Sequence, residues 1–266
     1  MKQSIVIAAL AAGTLAACGP TATPDHATNS VAPAAQSGAL PANIAAAAAD
    51  PARGDMRMTD AKRHGPEILA FAGVKSDDKV IDLIPGGGYW TKLFAKSVGP
   101  SGHVYGIWPQ PYAAEARTNV LDYQKLAGSA DFANVSASTQ PATTLQAAEP
   151  VDIVFTAQNY HDYPDKFMGS IDPAVFNKLA FAALKPGGTL LIIDHVAQAG
   201  SAMRDTDTLH RIDPATVKSQ LAAAGFEFVG ESALLANPAD DHSLPVFDKA
   251  VRGKTDQFIY KFRKPG

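Results

Sequence analysis

The chain opens with an apolar run from Ile5 to Ala17, rich in Ala and Leu. Residues 19–41 then hold mostly Ala, Thr, Pro and Ser, with few large apolar side chains. Such a stretch cannot offset the entropy of ordering it, so a flexible tether is expected there. Beyond it, two hydrophobic periods alternate. Ala42–Ala49 is Ala-rich and predicts a short helix. Thr59–Phe71 predicts a helix capped by Thr59 or Asp60, with Ile68, Leu69 and Phe71 on one side and Gly73 ending it. Lys79–Ile84 is a β-branched run, hence a strand, and Pro85-Gly86-Gly87-Gly88 breaks it. Tyr89–Ser97 returns to helical spacing, with Trp90, Leu93 and Phe94 on one face.

The alternation continues. His103–Ile107, a weak segment at Asn134–Ser136, Val151–Thr156, Thr189–Asp194, Phe226–Glu231 and Gln257–Phe262 read as strands. Pro111–Leu126, Pro173–Leu184 and Pro214–Ala224 read as helices, and Lys185–Gly188 as a turn. This order predicts an α/β three-layer sandwich with a mostly parallel seven-stranded sheet and an antiparallel last strand. The connection Ser232–Asp256 is too long for a hairpin, and loops of that size are usually functional or mobile.

The N-terminus adds a targeting expectation. Lys2 precedes the apolar run, which is shorter than the roughly 20 residues a spanning helix needs. A basic start, a short apolar run and small residues at its end predict a secretory signal over residues 1–17. The run closes at Leu15-Ala16-Ala17-Cys18, which resembles the lipobox of bacterial lipoproteins. Cys18 is the sole cysteine, so it has no internal disulfide partner, and lipidation accounts for it. The expected organisation is a signal at 1–17, a lipidated Cys18 and tether at 18–41, and one folded domain at 42–266. A lipid anchor at the periplasmic face follows, and Gly19 after the Cys favours the outer membrane. The whole chain is 46% hydrophobic with a net charge of −3, enough for one sizeable core and without the basic excess that nucleic acid requires.

Three segments carry a resemblance. Val80-Ile81-Asp82-Leu83-Ile84-Pro85-Gly86-Gly87-Gly88, Val151-Asp152-Ile153-Val154-Phe155 and Leu184-Lys185-Pro186-Gly187-Gly188-Thr189-Leu190-Leu191-Ile192 resemble motifs of the Rossmann-like class I methyltransferases that use S-adenosylmethionine. Gly86–Thr91, Asn159-Tyr160-His161-Asp162 and His210-Arg211-Ile212-Asp213 further resemble a bacterial group known as predicted methyltransferases. The resemblance implies that Asp82, Gly86, Gly87, Gly88, Tyr89, Trp108 and Asn159 surround the cofactor. It implies that His161, with His195 second, serves as a base, and that Asp162 belongs to the catalytic set. The implied substrate is a small molecule. The chain departs from the family where the first glycine is replaced by Ile84, a β-branched residue that resists glycine's backbone angles. It departs again where Trp108 stands in place of the ribose-binding carboxylate, with Gln110 as a weaker substitute. The acid usual after the third strand is replaced by Ser138, Thr139 and Gln140.

Two other readings use the same residues. His161, Asp162, His195, His210, Asp240, Asp241 and His242 are N/O donors suited to a divalent ion, though without a metal-binding spacing. A non-catalytic lipoprotein holding a small ligand in the same crevice is the other. Structural uses compete as well. Asp162 and Asp213 can cap the segments after them, and His210 and Arg211 can pair with Asp205 or Asp207. Asp240-Asp241-His242 can be a solvated turn, and Trp90 can pack on the sheet.

Overall fold

The computed structural model describes residues 38–266; the expected signal, Cys18 and most of the tether lie outside the described residues. Strands β1 (Lys79–Leu83), β2 (His103–Pro109), β3 (Val135–Gln140), β4 (Val151–Ala157), β5 (Leu184–His195), β6 (Glu227–Ser232) and β7 (Gln257–Arg263) form one sheet in the order β3-β2-β1-β4-β5-β7-β6. The first five strands run parallel, and β7 lies antiparallel between β5 and β6. The antiparallel last strand is therefore internal, and β6 forms the edge.

Burial on both faces explains the β-branched runs. Along β1, Val80 enters one core while Ile81 and Leu83 enter the other; along β5, Leu191 and Ile193 oppose Leu190 and Ile192. Helices α1 (Ala42–Ala49), α3 (Gly65–Ala72), α4 (Tyr89–Val98) and α6 (Arg117–Ala127) supply Ile44, Leu69, Phe94 and Tyr123 to one side. Helices α7 (Pro173–Ala183) and α9 (Pro214–Ala223) supply Phe176 and Val217 to the other. Both of these begin with Pro behind an Asp cap: Asp172 accepts from Ala174 N–H at 2.8 Å and Asp213 from Ala215 N–H at 2.9 Å.

Several expected elements are divided. The helix over Thr59–Phe71 is instead a 3-10 segment Pro51–Thr59, a short α2 (Asp60–Arg63), and α3, with His64 left-handed between the last two. The helix over Pro111–Leu126 is α5 (Gln110–Glu115) followed by α6, with a break at Ala116. The turn at Lys185–Gly188 is absorbed into β5 as an irregular start, where the register against β4 shifts between Val151 and Ile153. A further short helix, α8 (Thr206–Leu209), precedes His210.

The strand order reverses between β1 and β4. Neighbouring crossovers leave in opposite directions there, which opens a crevice at the strands' carboxyl ends.

Candidate active site

A cleft of about 770 Å³ occupies this crevice. Its floor is the turn after β1, with Ile84, Pro85, Gly86 and Gly87 lining it. The segment after β4 contributes Gln158, Asn159, His161 and Asp162, the end of β5 contributes His195, and the residue after α8 contributes His210. Trp90, Tyr89, Tyr112, Glu115 and Asn119 close the remaining sides. Three non-glycine residues of this lining, Ile84 (φ 55°), Gln158 (φ 65°) and His210 (φ 54°), sit in the left-handed region. For β-branched Ile84 this is a true outlier, stabilised by its N–H on Ile107 O at 2.9 Å and by burial of its side chain. Each such residue stores about 1–3 kcal/mol, and strain of this kind collects at functional sites.

Gly86 (φ 57°) has open space where a Cβ would stand, and Gly87 has the same room. A ligand can therefore approach the backbone closely at this turn. Asp82, Gly88 and Trp108 do not line the cleft. Asp82 is buried and accepts from Thr91 Oγ1 at 2.5 Å; burial pushes it up to about 7 against that hydrogen bond. Trp108 is fully buried with its Nε1 unpartnered, facing Tyr112 and Tyr123 across 6.1 and 6.5 Å. Gly88 (φ 83°) serves α4 as its N-cap. Asn159 turns its Nδ2 onto Ala157 O at 2.6 Å.

His161 lies between two carboxylates. Its Nδ1 is 2.7 Å from Asp194 Oδ1 and its Nε2 3.2 Å from Asp162 Oδ1. Burial lowers its affinity for the proton, but Asp194 and Asp162 together outweigh burial and raise it to about 10. The two carboxylates thus favour the imidazolium, the form in which both nitrogens donate. In that form the ring orients and stabilises negative charge. Asp162 also faces His210 Nδ1 at 3.8 Å, so it belongs to this cluster and not to a cap. His195 is the opposite case. Burial pushes it down to about 4, leaving a neutral ring whose Nδ1 meets Thr255 Oγ1 at 2.8 Å. Its Nε2 has no hydrogen-bond partner among the described residues.

Of the seven possible metal ligands, only His161, Asp162 and His210 offer atoms within 4.8 Å of one another. Both His161 nitrogens are already matched to carboxylates in that arrangement. Arg211 does not pair with Asp205 or Asp207. Its guanidinium meets Asp240 at 2.9 Å with both side chains buried, while Arg204 takes Asp205 at 2.8 Å. Asp240 is thus no solvated turn, whereas Asp241 is exposed and bonds Ser243. Trp90 packs on Phe155 with centroids 5.0 Å apart and also lines the cleft. Glu115, which sequence reasoning missed, is the acid that lines the cleft after β2.

The profile of a methyltransferase domain family matches residues 74–227, more than half of the chain. This chain belongs to the methyltransferase domain family. The ubiquinone/menaquinone biosynthesis C-methyltransferase UbiE of Hydrogenovibrio crunogenus is 30% identical over 135 residues, covering 50% of this chain. The chain matches 47% of that relative's length, about half. Among solved structures, a SAM-dependent methyltransferase from Aquifex aeolicus superposes with a TM-score of 0.55 at 18% identity, over 79% of this chain and 97% of the other. The 4+2 cyclase SpnF superposes with a TM-score of 0.58 at 17% identity, over 77% and 81%. The fold of this methyltransferase-family chain is thus the Rossmann-like one expected, and one of its neighbours bears the name of a cyclase.

Proposed function

We propose that the chain is an S-adenosylmethionine-dependent methyltransferase acting on a small molecule, exported and tethered through lipidated Cys18 at the periplasmic face of the envelope. The observation that carries the catalytic part is the strained, glycine-floored cleft at the strand-order reversal. The residues present fit the cofactor. Gly86 and Gly87 leave room for close backbone approach, Tyr112 and Trp90 offer aromatic surface, and Glu115 and Asn119 offer the acceptors that Trp108 cannot. When bound, S-adenosylmethionine supplies an electrophilic methyl group. The protein's task is then alignment and proton handling. Neutral His195, in reach of the cleft, presents Nε2 as a hydrogen-bond acceptor to the substrate's proton when its Nδ1–H donates to Thr255 Oγ1, so it orients the acceptor while burial keeps it a weak base. Cationic His161, held by Asp194, places positive charge beside Asp162 and keeps the segment after β4 in position. Export rests on the basic start, the apolar run and the lipobox-like sequence ending at Cys18.

Calorimetric titration of the full chain with S-adenosylmethionine and S-adenosylhomocysteine tests the first part. Saturable binding is expected, and no binding at millimolar ligand overturns it. Metal analysis of the same sample decides whether the His161–Asp162–His210 cluster carries an ion. A Cys18→Ser variant is expected to leave the membrane fraction; continued sedimentation with membranes overturns the lipid anchor.

A further inference from the structure

A second cavity, also about 770 Å³, adjoins the first and shares Arg63, Trp90, Gln158, His195 and Phe247 with it. Its charge is one-sided. Lys62 and Arg63 from α2 and Arg252 and Lys254 from the connection before β7 line it, and no Asp or Glu does. None of these four cations forms a salt bridge among the described residues.

Three buried or half-buried acids on the same elements are already engaged. Asp60 takes both Arg53 nitrogens at 2.8 and 2.6 Å and the Tyr89 hydroxyl at 2.7 Å. Asp240 takes Arg211, and Asp256 takes His242 at 3.1 Å and Asn237 N–H at 2.7 Å. Four like charges gathered around one hollow repel one another, and an anion relieves that repulsion. Trp90, Leu235 and the exposed ring of Phe247 add apolar surface to the wall, beside neutral polar groups from Gln158, Asn237 and Gln257. A single anionic group set against an apolar body matches the cations and the aromatic and aliphatic surface of this lining.

We propose that this cavity binds the methyl acceptor, and that the acceptor is an amphipathic organic anion, bearing a carboxylate, sulfonate or phosphate beside an apolar body. Its role as acceptor site rests on the methyltransferase reading; its preference for anions does not. The four cations are exposed, so solvent screens them and the preference is one of tenfold scale, sensitive to salt.

The test uses two probes with the same ring, naphthalenesulfonate and naphthalenemethanol, titrated calorimetrically into the full chain. The sulfonate is expected to bind about tenfold tighter than the alcohol at low salt, with the gap closing as salt rises. A Lys62→Gln, Arg252→Gln, Lys254→Gln triple variant changes only exposed side chains that line this cavity and not the first. It should bring the two probes within about twofold of each other while S-adenosylhomocysteine binds as in the unaltered chain. Equal affinities in the unaltered chain, or a sulfonate preference that survives in the triple variant, overturn the proposal. A chain that prefers the sulfonate yet fails to bind S-adenosylhomocysteine keeps the anion site and loses its role as acceptor site.

Discussion

Asp194 holds His161 at two points: its Oδ1 lies 2.7 Å from ring Nδ1, and its Oδ2 accepts the His161 backbone N–H at 2.9 Å. The same carboxylate accepts the His195 N–H at 2.8 Å, so one buried acid at the end of β5 places both histidines. This positioning converts two chemically identical side chains into a cation and a neutral ring a few ångströms apart, with ring centroids separated by 6.1 Å. Pairing raises one and burial lowers the other.

Asp194→Asn removes the charge and keeps the shape. His161 then loses its principal counter-ion and should titrate well below its present value of about 10, closer to an ordinary imidazole. Breaking a buried pair in this way costs about 3–5 kcal/mol at neutral pH. The sign is fixed by the raised value: the pair's contribution is complete below pH 6.5, the ordinary value, and is lost as pH rises through about 10. Denaturant unfolding together with ring-proton NMR checks this. A His161 ring that stays protonated through pH 8 in the variant contradicts the pairing.

Asp82 carries a pH dependence of the opposite chemical kind. Its folded-state value of about 7 lies above the ordinary 3.8, so burial favours the protonated acid. That contribution is complete below about pH 4 and is lost as pH rises through 7. Asp82→Asn should therefore unfold at higher denaturant than the unaltered chain at pH 8, by an amount on the order of a few kcal/mol, with little difference at pH 4. Parallel stability profiles across that range would show that Asp82 is solvated or paired in solution.

The turn floor gives a steric test. Gly86→Val places a β-branched side chain at φ 57°, costing about 1–2 kcal/mol, and directs it into open space at the cleft floor. Affinity for S-adenosylhomocysteine should fall at least about tenfold while the chain still melts cooperatively. Affinity retained within about twofold would mean that the ligand does not approach this turn.

The central strands were legible because parallel strands buried on both faces need near-continuous β-branched sequence, which Val80–Ile84 and Val151–Phe155 display, whereas edge strand β3 is largely half-buried or exposed and reads weakly. The split after Arg63 had a local signal in Gly65-Pro66, since proline restricts the residue before it, but the apolar spacing of Ile68 and Leu69 masked it. The insertion of β7 between β5 and β6 has no local signal; it depends on which edge the sheet leaves free. Asn159, His161, Asp162 and His195 could be placed near the strand ends from sequence, but their roles could not. The protonation of His161 depends on Asp194, which is 33 positions away. The cations of the second cavity were invisible for the same reason. Lys62 and Lys254 each look like an ordinary solvated lysine until the fold brings them to one rim.

The attachment of the connection from Ser232 to Asp256 makes a final test. Asp240 lies at its centre, buried, and accepts from Arg211 at 2.9 Å, from Asp256 N–H at 2.8 Å and from His242 N–H at 3.2 Å. Arg211 completes its own set with Leu244 O at 2.9 Å and Val196 O at 3.0 Å. These bonds fasten Asp240, Leu244 and Asp256 to Arg211 and through it to Val196 after β5, and the connection itself lines both cavities through Val246 and Phe247. Asp240→Ala leaves Arg211 as an uncompensated buried cation and should cost about 3–5 kcal/mol. Burial works against the carboxylate, but its hydrogen bonds and Arg211 hold it below the ordinary 3.8 overall, so the stabilisation is present above that pH and is lost as pH falls through the lowered value. Amide hydrogen exchange should quicken between Asn237 and Asp256 while β1, β4 and β5 keep their protection. Uniform quickening across the sheet would show that the pair supports the whole domain and not this connection alone.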